Sequence, residues 1–385
     1  SLHDALPIYF EQVNSLYELT KKKIEFENAK IEPLPYVDSA KLTEEEKKLY
    51  TEKGEEIIRT GKLGVVTMAG GQGTRLGHNG PKGTFDIGLP SHKSLFEILA
   101  DYLKEKCEEY HVTIPWYIMT SKENNDDTVR FFENNHYFNY PEGGIRIFFK
   151  QGELPMLDEQ GKLIINEEGI IKEAADGHGG IFEAMFKEGV LEDMKKTSVE
   201  WIFVGSVDNP LVKMADPLFI GYTATHQYMA ASKTIVKAGP EEKVGAFCKK
   251  NGRPYVIEYT EITDEMAHRR DANGELVFGE AHMLLNLFHM KALEKIKEVK
   301  LPYHVAHKKS NIVDEQGNVI VPEKPNAYKF EAFIFDAFSL IPEVGLLRGK
   351  REDNFAPVKN AEGVDSPETA RKLYEDYMKR HVAGY

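Results

Sequence analysis

The fold is decided by the stretch LGVVTMAGGQGTRLGHNGPKG, which covers residues 63–83. Its first six residues are mostly apolar and β-branched, a pattern typical of a short buried strand. Four glycines follow closely: Gly70, Gly71, Gly73 and Gly77. They free the backbone to turn sharply and to present N–H groups, which form an anion site where they converge at a strand end. Arg75 and Lys82 add two positive charges. The stretch therefore predicts a strand followed by a phosphate-binding loop.

Two better-known phosphate loops do not fit this stretch. The dinucleotide fingerprint G-x-G-x-x-G fails because Leu76 stands where the third glycine belongs. The P-loop pattern G-x-x-x-x-G-K-[ST] fails because Pro81 precedes Lys82 and Gly83 follows it. The pattern thus argues against an NAD-binding oxidoreductase and against P-loop phosphate hydrolysis. A mobile glycine loop with two solvated cations is the simpler alternative.

Short apolar strands alternate with helical stretches from about residue 62 to residue 300. Strands are predicted at 63–68, 114–120, 145–150, 201–207, 231–236 and 254–259. Helices are predicted at 94–110, 128–135, 180–196 and 216–227. This alternation predicts an α/β fold with a doubly wound, mixed, mostly parallel sheet covered by helices on both faces. Ligands of such sheets bind beyond the carboxyl ends of the strands, where the glycine loop falls.

The chain divides into three predicted parts. Residues 1–60 form a helical N-terminal segment that packs on the main domain, with Thr43 as the N-cap of a helix over 42–58. Residues 61–305 form the main domain. Residues 306–385 form a smaller C-terminal part, with an aromatic strand at 330–338 and a terminal helix at 369–380. Trp116 and Trp201 lie inside predicted strands and are expected in the core.

Charge and cysteine usage narrow the possible partners and compartment. The chain has 49 Lys and Arg against 62 Asp and Glu, a net charge of −13, which disfavours nucleic acid and anionic membranes as partners. Its two cysteines, Cys107 and Cys248, are far apart and lack metal-ligand spacing, as in a reducing compartment. No apolar run approaches ~18 residues, and the first residues do not resemble a signal peptide. We therefore expect a cytoplasmic protein with no membrane span.

The chain resembles the UDP-sugar pyrophosphorylases, and most of all their UDP-N-acetylhexosamine pyrophosphorylase branch. The motifs that carry this resemblance follow the family's order along most of the chain. They are AGGQGTRLG (69–77), GPKG (80–83), GLPSHKSLF (88–96), FFKQGELP (148–155), DGHGG (176–180), VDN (207–209), VIEYTEI (256–262), FIFDAF (333–338) and FAPVKN (355–360).

The resemblance implies the nucleotide-diphospho-sugar transferase fold, which is GT-A or Rossmann-like, and a uridylyltransferase activity. Such an enzyme joins UTP and N-acetylglucosamine-1-phosphate, or its galactosamine epimer, to give UDP-N-acetylhexosamine and pyrophosphate. The sugar-phosphate oxygen attacks the α-phosphorus in line. Because both substrates are anions, the protein must neutralise charge and hold the two groups in position. The sequence shows no serine–histidine or cysteine–histidine arrangement for covalent catalysis.

The resemblance also implies the site residues. The expected catalytic cations are Arg75, Lys82 and Lys359. The expected nucleotide contacts are Ala69, Gly70, Gly71, Gly73, Thr74, Gln151, Gly177 and His178. The expected sugar contacts are Asn209, Gly245, Glu258, His282, Phe333 and Phe335. Asp208, at the end of a predicted buried strand, is expected to hold Mg2+ between phosphate oxygens. By the same resemblance residues 61–305 bind the nucleotide and sugar phosphate, and residues 306–385 complete the site.

Simpler interpretations of these residues stay open from the pattern alone. Lys359 fits a solvated lysine on a late turn, and Asp208 fits a turn cap before Asn209. Glu258 fits the solvated face of a strand. Phe333 and Phe335 fit plain core positions.

Two departures from the UDP-N-acetylhexosamine branch concern the choice of sugar. His178 stands where that branch usually has Asn, as in many UDP-glucose enzymes, and Ala281 and His282 replace a Gly-Asn pair that reaches the sugar. A UDP-glucose or broad UDP-sugar pyrophosphorylase therefore stays open. A non-catalytic nucleotide-sugar sensor is a further alternative, which the intact cations disfavour. The resembling enzymes continue beyond the FAPVKN motif into a further C-terminal module, which we do not expect here, and we expect a monomer or a weak homo-oligomer.

Overall fold

A computed structural model describes residues 2–22 and 29–385. Residues 1 and 23–28 lie outside the described residues, so the predicted segment 1–60 is described in part. The described residues form eleven α-helices: α1 (Leu2–Lys21), α2 (Glu44–Arg59), α3 (Leu95–Tyr110), α4 (Asn125–Asn134), α5 (Gly180–Lys187), α6 (Val190–Lys196), α7 (Pro217–Thr225), α8 (Asp264–His268), α9 (Met290–Glu298), α10 (Arg351–Asn354) and α11 (Pro367–His381).

The same described ranges contain eighteen strands: β1 (Ile31–Glu32), β2 (Val37–Asp38), β3 (Leu63–Met68), β4 (Trp116–Thr120), β5 (Ile145–Lys150), β6 (Glu153–Pro155), β7 (Leu157–Asp158), β8 (Glu173–Ala175), β9 (Trp201–Ser206), β10 (Ala230–Val236), β11 (Ala246–Lys250), β12 (Arg253–Ile257), β13 (Glu280–His289), β14 (His304–Lys308), β15 (Ile312–Val313), β16 (Val319–Ile320), β17 (Ala327–Glu331) and β18 (Gly345–Arg348).

The central sheet confirms the predicted mixed, mostly parallel arrangement. Its strands run in the order β2-β18-β10-β13-β9-β3-β4-β5. Strand β13 is antiparallel to both of its neighbours, β10 and β9, and the other neighbours in this order are parallel. Strand β11 joins β13 and pairs with β1 and β12. The first strand of the glycine stretch, β3, is therefore an interior strand of the sheet.

Helices cover both faces of this sheet, as in a doubly wound fold. Successive side chains point to opposite faces of a strand. Val65 and Phe203 accordingly join one core cluster, to which α2, α3 and α7 contribute. Val66 and Val204 join the other, to which α5, α6 and α9 contribute. The six residues of β3 are all buried, so their apolar run reflects burial on both faces.

Several predicted elements differ from the structure. The predicted strand at 330–338 is wrong beyond Glu331, because β17 ends there and short 3-10 turns follow at Ile334–Asp336 and Phe338–Leu340. The predicted helix at 180–196 is two helices, since Gly189 has a φ of 77° between them. Strands β11 and β13 were not predicted. A short apolar run does not distinguish a strand from a buried turn by periodicity alone.

The N-terminal segment is built into the sheet and helix layers. Thr43 caps α2 as predicted, in a reciprocal capping box with Glu46. Strand β1 pairs with β11 and strand β2 pairs with β18. Both strands therefore belong to the central sheet, and the position of the domain boundaries stays a prediction.

Helices α2 and α7 cross at two glycines. A Cβ at Gly54 would lie 1.8 Å from the carbonyl oxygen of Pro217, and a Cβ at Gly221 would lie 1.6 Å from that of Tyr50. The backbones of the two helices are thus in direct contact, which larger residues would prevent.

We expect Gly221→Ala to lower the free energy of unfolding by about 1–3 kcal/mol, because overpacking forces the backbones apart. This loss should exceed the helix-propensity gain of about 1 kcal/mol from glycine to alanine. Urea denaturation followed by circular dichroism measures the change. The control is Gly239→Ala, where a Cβ would meet nothing within 4 Å. Equal midpoints for both variants would contradict the contact.

Candidate active site

The glycine loop leaves the carboxyl end of β3 with its first residues held in place. The side-chain amide of Asn124 donates to the carbonyl oxygens of Ala69 and Gly71, at 3.0 and 3.3 Å. The N–H groups of Gly70, Gly71 and Thr74 donate to no acceptor within the described residues. A Cβ at Gly71 would meet nothing within 4 Å. The loop thus presents unpaired N–H groups to open space, as phosphate binding requires.

The far end of the loop rests on the core and fixes Lys82. The N–H of Lys82 donates to the carbonyl oxygen of Gly71 at 3.0 Å. A Cβ at Gly83 would lie 2.2 Å from the ring of Phe96, which is fully buried. Glycine is therefore required next to Lys82, because the chain passes directly over that ring.

Four of the predicted charged residues share one electrostatic environment around Lys82. Burial lowers the pKa of the Lys82 ammonium; the carboxylate of Asp208 opposes this, and the positive charges of Lys359 and Arg75 lower the pKa further. Within the described residues, Lys82, Arg75 and Lys359 form no ion pair. Three unpaired cations beside an N–H-rich loop form a strongly electropositive site for an anion.

The segment that carries Lys359 is joined to the Asp208 loop. The N–H of Val358 donates to the carbonyl oxygen of Asp208 at 2.9 Å, and the N–H of Lys359 donates to that of Asp365 at 2.7 Å. Burial raises the pKa of the Asp365 carboxyl, while Lys359 lowers it. Asp365 is thus part of this charged environment, and the sequence offered no signal for it.

The contacts of Asn209 differ from the predicted sugar contact. Its side chain is buried, and its amide donates to the carbonyl oxygen of Asn354 at 2.7 Å. The amide oxygen accepts from the N–H groups of Leu211 at 3.2 Å and of Ala356 at 3.0 Å. Because the backbone occupies both ends of the amide, Asn209 holds the FAPVKN segment in position.

The predicted nucleotide residues Gln151 and Gly177 meet the glycine loop. The amide of Gln151 donates to the carbonyl oxygen of Gly177 at 2.7 Å and to the carboxyl of Asp176 at 3.2 Å. A Cβ at Gly70 would lie 3.2 Å from the amide oxygen of Gln151. Burial raises the pKa of Asp176 to about 6. These contacts bring the loops after β3, β5 and β8 together.

His178 lies against the aromatic residues predicted for the sugar side. Its Nδ1 accepts a hydrogen bond from the N–H of Ile334 at 3.0 Å, so the neutral ring carries its proton on Nε2. Its centroid lies 5.4 Å from that of the half-buried Phe333 and 5.8 Å from that of the buried Phe335. The 3-10 turn that replaces the predicted strand is what aims the Ile334 N–H at this ring.

His282, Gly245 and Glu258, which are also predicted to contact the sugar, lie close to one another. The N–H of His282 donates to the carbonyl oxygen of Gly245 at 2.9 Å, and a Cβ at Gly245 would lie 3.4 Å from the Glu258 carboxylate. Burial raises the pKa of Glu258 and Glu261 raises it further, whereas Lys359 lowers it. The charge of Lys359 thus acts both on Lys82 and on Glu258.

A β-bulge in β13 sets the environment of His282. The pairing with β10 shifts between Ser232 and Thr234, and Leu284 has a φ of 56° within the strand. The bulge lets Nε2 of His282 donate to the amide oxygen of Asn286 at 3.2 Å. The amide nitrogen of Asn286 is buried and has no partner in the described part of the chain. Neither the bulge nor Asn286 has a signal in the sequence.

These observations match a known family. Residues 7–365 match the family described as UTP–glucose-1-phosphate uridylyltransferase. The chain belongs to this family. It is 38% identical over 358 residues to the human UDP-N-acetylhexosamine pyrophosphorylase-like protein 1, covering 89% of this chain and 70% of that protein. It is also 38% identical to the UDP-N-acetylglucosamine pyrophosphorylase of Saccharomyces cerevisiae, over 89% of this chain and 75% of the relative.

A solved structure supports the same relationship. The uridine diphosphate N-acetylglucosamine pyrophosphorylase of Trypanosoma brucei, in complex with an inhibitor, superposes with a TM-score of 0.83 at 30% identity. The match covers 97% of this chain and 76% of that one. Membership of the uridylyltransferase family makes the protein a nucleotidyltransferase, as the resemblance implied.

Members of the family generally use a divalent metal, and the described residues contain one group of three possible metal ligands. It consists of Glu241, Asp264 and His268, all exposed. Asp208 is not part of this group. Asp208, unlike the three residues of this group, acts on the pKa of Lys82.

Burial of His178 and His282 makes the folded protein less stable at acidic pH. Burial lowers the pKa of His178 to about 4 and that of His282 to about 3, and the charge of His178 adds to the second effect. Histidines in the unfolded chain titrate near 6.5. Below that pH the unfolded state binds more protons than the folded state, so stability is lost as the pH falls from about 6.5 towards 4.

The free energy of unfolding of the wild type should fall between pH 7.5 and pH 5. We expect this fall to be smaller by about 1–2 kcal/mol in His282→Asn, because the variant lacks one buried histidine. Urea denaturation at both pH values measures the difference. His92→Asn is the control, since the His92 side chain is 79% exposed. The same pH dependence in wild type and His282→Asn would show that burial of His282 has no such effect.

Proposed function

We propose that the protein joins UTP and N-acetylglucosamine-1-phosphate, or N-acetylgalactosamine-1-phosphate, to give UDP-N-acetylhexosamine and pyrophosphate. The observation that supports this reaction most is the gathering of Arg75, Lys82 and Lys359, none of them in an ion pair within the described residues, around open backbone N–H groups. Both substrates are negatively charged and repel each other. The attack of the sugar phosphate on the α-phosphorus of UTP therefore needs a site that neutralises these charges.

Each charged residue has a role that follows from its position. The N–H groups of Gly70, Gly71 and Thr74 hold phosphate oxygens of UTP, and the exposed Arg75 adds its planar fork to them. Lys82, partly buried at the fixed end of the loop, stabilises charge on the α-phosphate during the attack. Its electrostatic effect is strengthened by burial.

Lys359 and Glu258 support the placement of the second substrate. The charge of Lys359 acts both on Lys82 and on Glu258. Lys359 therefore holds the phosphate of the sugar-1-phosphate while Glu258, next to Gly245, accepts from sugar hydroxyls. The incoming phosphate oxygen is then oriented towards the α-phosphorus.

Asp208 is suited to holding Mg2+ in this site. Mg2+ is usually bound in phosphate-transfer sites through one or two carboxylates, with substrate phosphates and water completing its octahedron. Asp208 supplies one carboxylate at the carboxyl end of β9, beside Lys82. When bound, the ion would neutralise part of the charge of the substrate phosphates.

A UDP-glucose or broad UDP-sugar pyrophosphorylase is the second candidate, because His178 stands where UDP-glucose enzymes often have histidine. The names of the human and yeast relatives favour the acetylated sugar. His178 and His282 are neutral near pH 7, so both recognise the sugar as uncharged rings. A sensor without catalysis would not need the cations that the site keeps.

The proposal also covers the partners of the protein and its cellular compartment. The substrates are UTP and a sugar-1-phosphate. The protein acts as a monomer or a weak homo-oligomer, and it binds neither nucleic acid nor membranes. No helix in the described ranges has the length and apolar character to cross a bilayer. Cys107 and Cys248 are both buried free thiols, which suits a reducing, cytoplasmic setting.

The test of the function is pyrophosphate release from UTP with Mg2+ and a panel of sugar-1-phosphates. We expect release with N-acetylglucosamine-1-phosphate and N-acetylgalactosamine-1-phosphate, and weaker release with glucose-1-phosphate. Release with glucose-1-phosphate alone would replace our substrate by the second candidate. No release with any sugar would favour the sensor.

A Lys82→Met variant should lose kcat by roughly 10²–10³, the usual cost of removing one preorganised contact to transition-state charge. Steady-state kinetics with the preferred sugar-1-phosphate measures the loss. The control is Lys324→Met, since Lys324 is exposed on a distant turn and should keep wild-type kcat. Turnover near that of wild type in Lys82→Met would remove Lys82 from the mechanism.

A further inference from the structure

A second positively charged cavity lies at the carboxyl ends of β2 and β18, away from the glycine loop. Its volume is about 560 Å³, within the range of small-molecule sites. Arg75, Lys82, Asp208 and Lys359 do not line it. Five cationic side chains do: Lys47, Lys213, Lys233, Arg348 and Lys350. They are opposed by two aspartates in a chain whose net charge is −13.

The acidic partners do not satisfy all of these cations. Lys233 forms a buried ion pair with Asp216, and Arg348 pairs with Glu280 and Glu275. Lys47 pairs with a glutamate on its own helix. The two remaining cations, Lys213 and Lys350, have no carboxylate partner within the described residues.

The surroundings of Lys213 disfavour its positive charge. Its ammonium donates to the carbonyl oxygen of Asp353 and lies 4.4 Å from the ring centre of Tyr377. Burial, and then the positive charge of Lys233, lower its pKa to about 7, although the carboxylates of Asp216 and Asp353 oppose this shift. A buried ammonium beside another lysine is destabilised unless an anion compensates it.

Lys350 faces the same cavity from the end of β18. It is exposed, and its ammonium makes no hydrogen bond or ion pair with any described residue. Within the described residues the cavity therefore has one mostly buried and one solvated lysine that form no ion pair. It lies at the sheet edge where ligands of α/β proteins bind.

We propose that this cavity binds a small anion that carries a phosphate group, with Lys213 and Lys350 as its charged ligands. Phosphate is doubly charged near neutral pH and has several acceptor oxygens, so one group serves two separated ammonium donors. The cavity volume exceeds that of a single phosphate, which leaves room for a small organic part. Inorganic phosphate and a phosphate ester share this chemistry.

The cavity is linked to the segment that carries the candidate active site. The ammonium of Lys233 donates to the side-chain oxygen of Asn354 at 3.2 Å. The backbone oxygen of Asn354 accepts from the amide of Asn209, next to Asp208. The two sites are thus adjacent while their charged residues differ, and each is testable without the other.

The test is calorimetric titration of inorganic phosphate into the full chain, with chloride keeping the ionic strength constant. The Lys82→Met variant is used as the background, so that binding in the catalytic loop is weakened. We expect phosphate binding to persist in this background and to weaken about tenfold when Lys350→Gln is added. Lys324→Gln, which removes one exposed positive charge elsewhere, is the matched control and should leave the affinity unchanged.

Lys213→Met in the same background should weaken phosphate binding at least as much as Lys350→Gln. Because Lys350 is exposed, its variant does not depend on refolding of a buried site. Equal affinities for Lys350→Gln and Lys324→Gln would overturn the proposal, as would the loss of all phosphate binding in Lys82→Met alone. Pyrophosphate release by Lys350→Gln reports on the proposed function separately and should stay within about twofold of wild type.

Discussion

Mutual repulsion among the cations around Lys82 is the constraint on which the site depends. The charges of Lys359 and Arg75 disfavour the charged form of Lys82, and Asp208 opposes this effect. Such a cluster costs stability in the free protein. The surrounding structure must hold the cluster in place, and the binding of a polyanionic substrate offsets this destabilisation. Uncompensated charge on a rigid frame is a common feature of sites that stabilise transition states.

The frame is made of interior strands and backbone hydrogen bonds. The loop follows an interior strand buried on both faces, and Asn124 holds its first carbonyl groups. Asn209 and Val358 fix the FAPVKN segment against the loop that carries Asp208. None of these anchoring contacts involves the cations themselves. The charged groups are therefore free to face a ligand.

The elements with a strong local signal were predictable from the sequence. The apolar run of β3, the glycines after it and the capping box of α2 each follow from local chemistry, and the structure confirms the strand and the cap. The surroundings of the predicted sugar residues were less predictable. The bulge near Leu284 and the 3-10 turn at Ile334–Asp336 arise from pairing and packing with distant segments, which no local pattern reports. The role of Asn209 was hidden for the same reason, since its partners lie in the segment around Asn354.

The glycine loop is tethered at both ends. Asn124 holds Ala69 and Gly71, and close packing of Gly83 on Phe96 holds the other end. The N–H of Gly73 bonds to the carbonyl oxygen of Gly80 at 2.9 Å, so the intervening turn is a small closed unit. Arg75 is exposed at the tip of this unit and Lys82 is half-buried at its base. In the proposed reaction an incoming triphosphate would therefore meet one solvent-exposed charge and one charge fixed by packing.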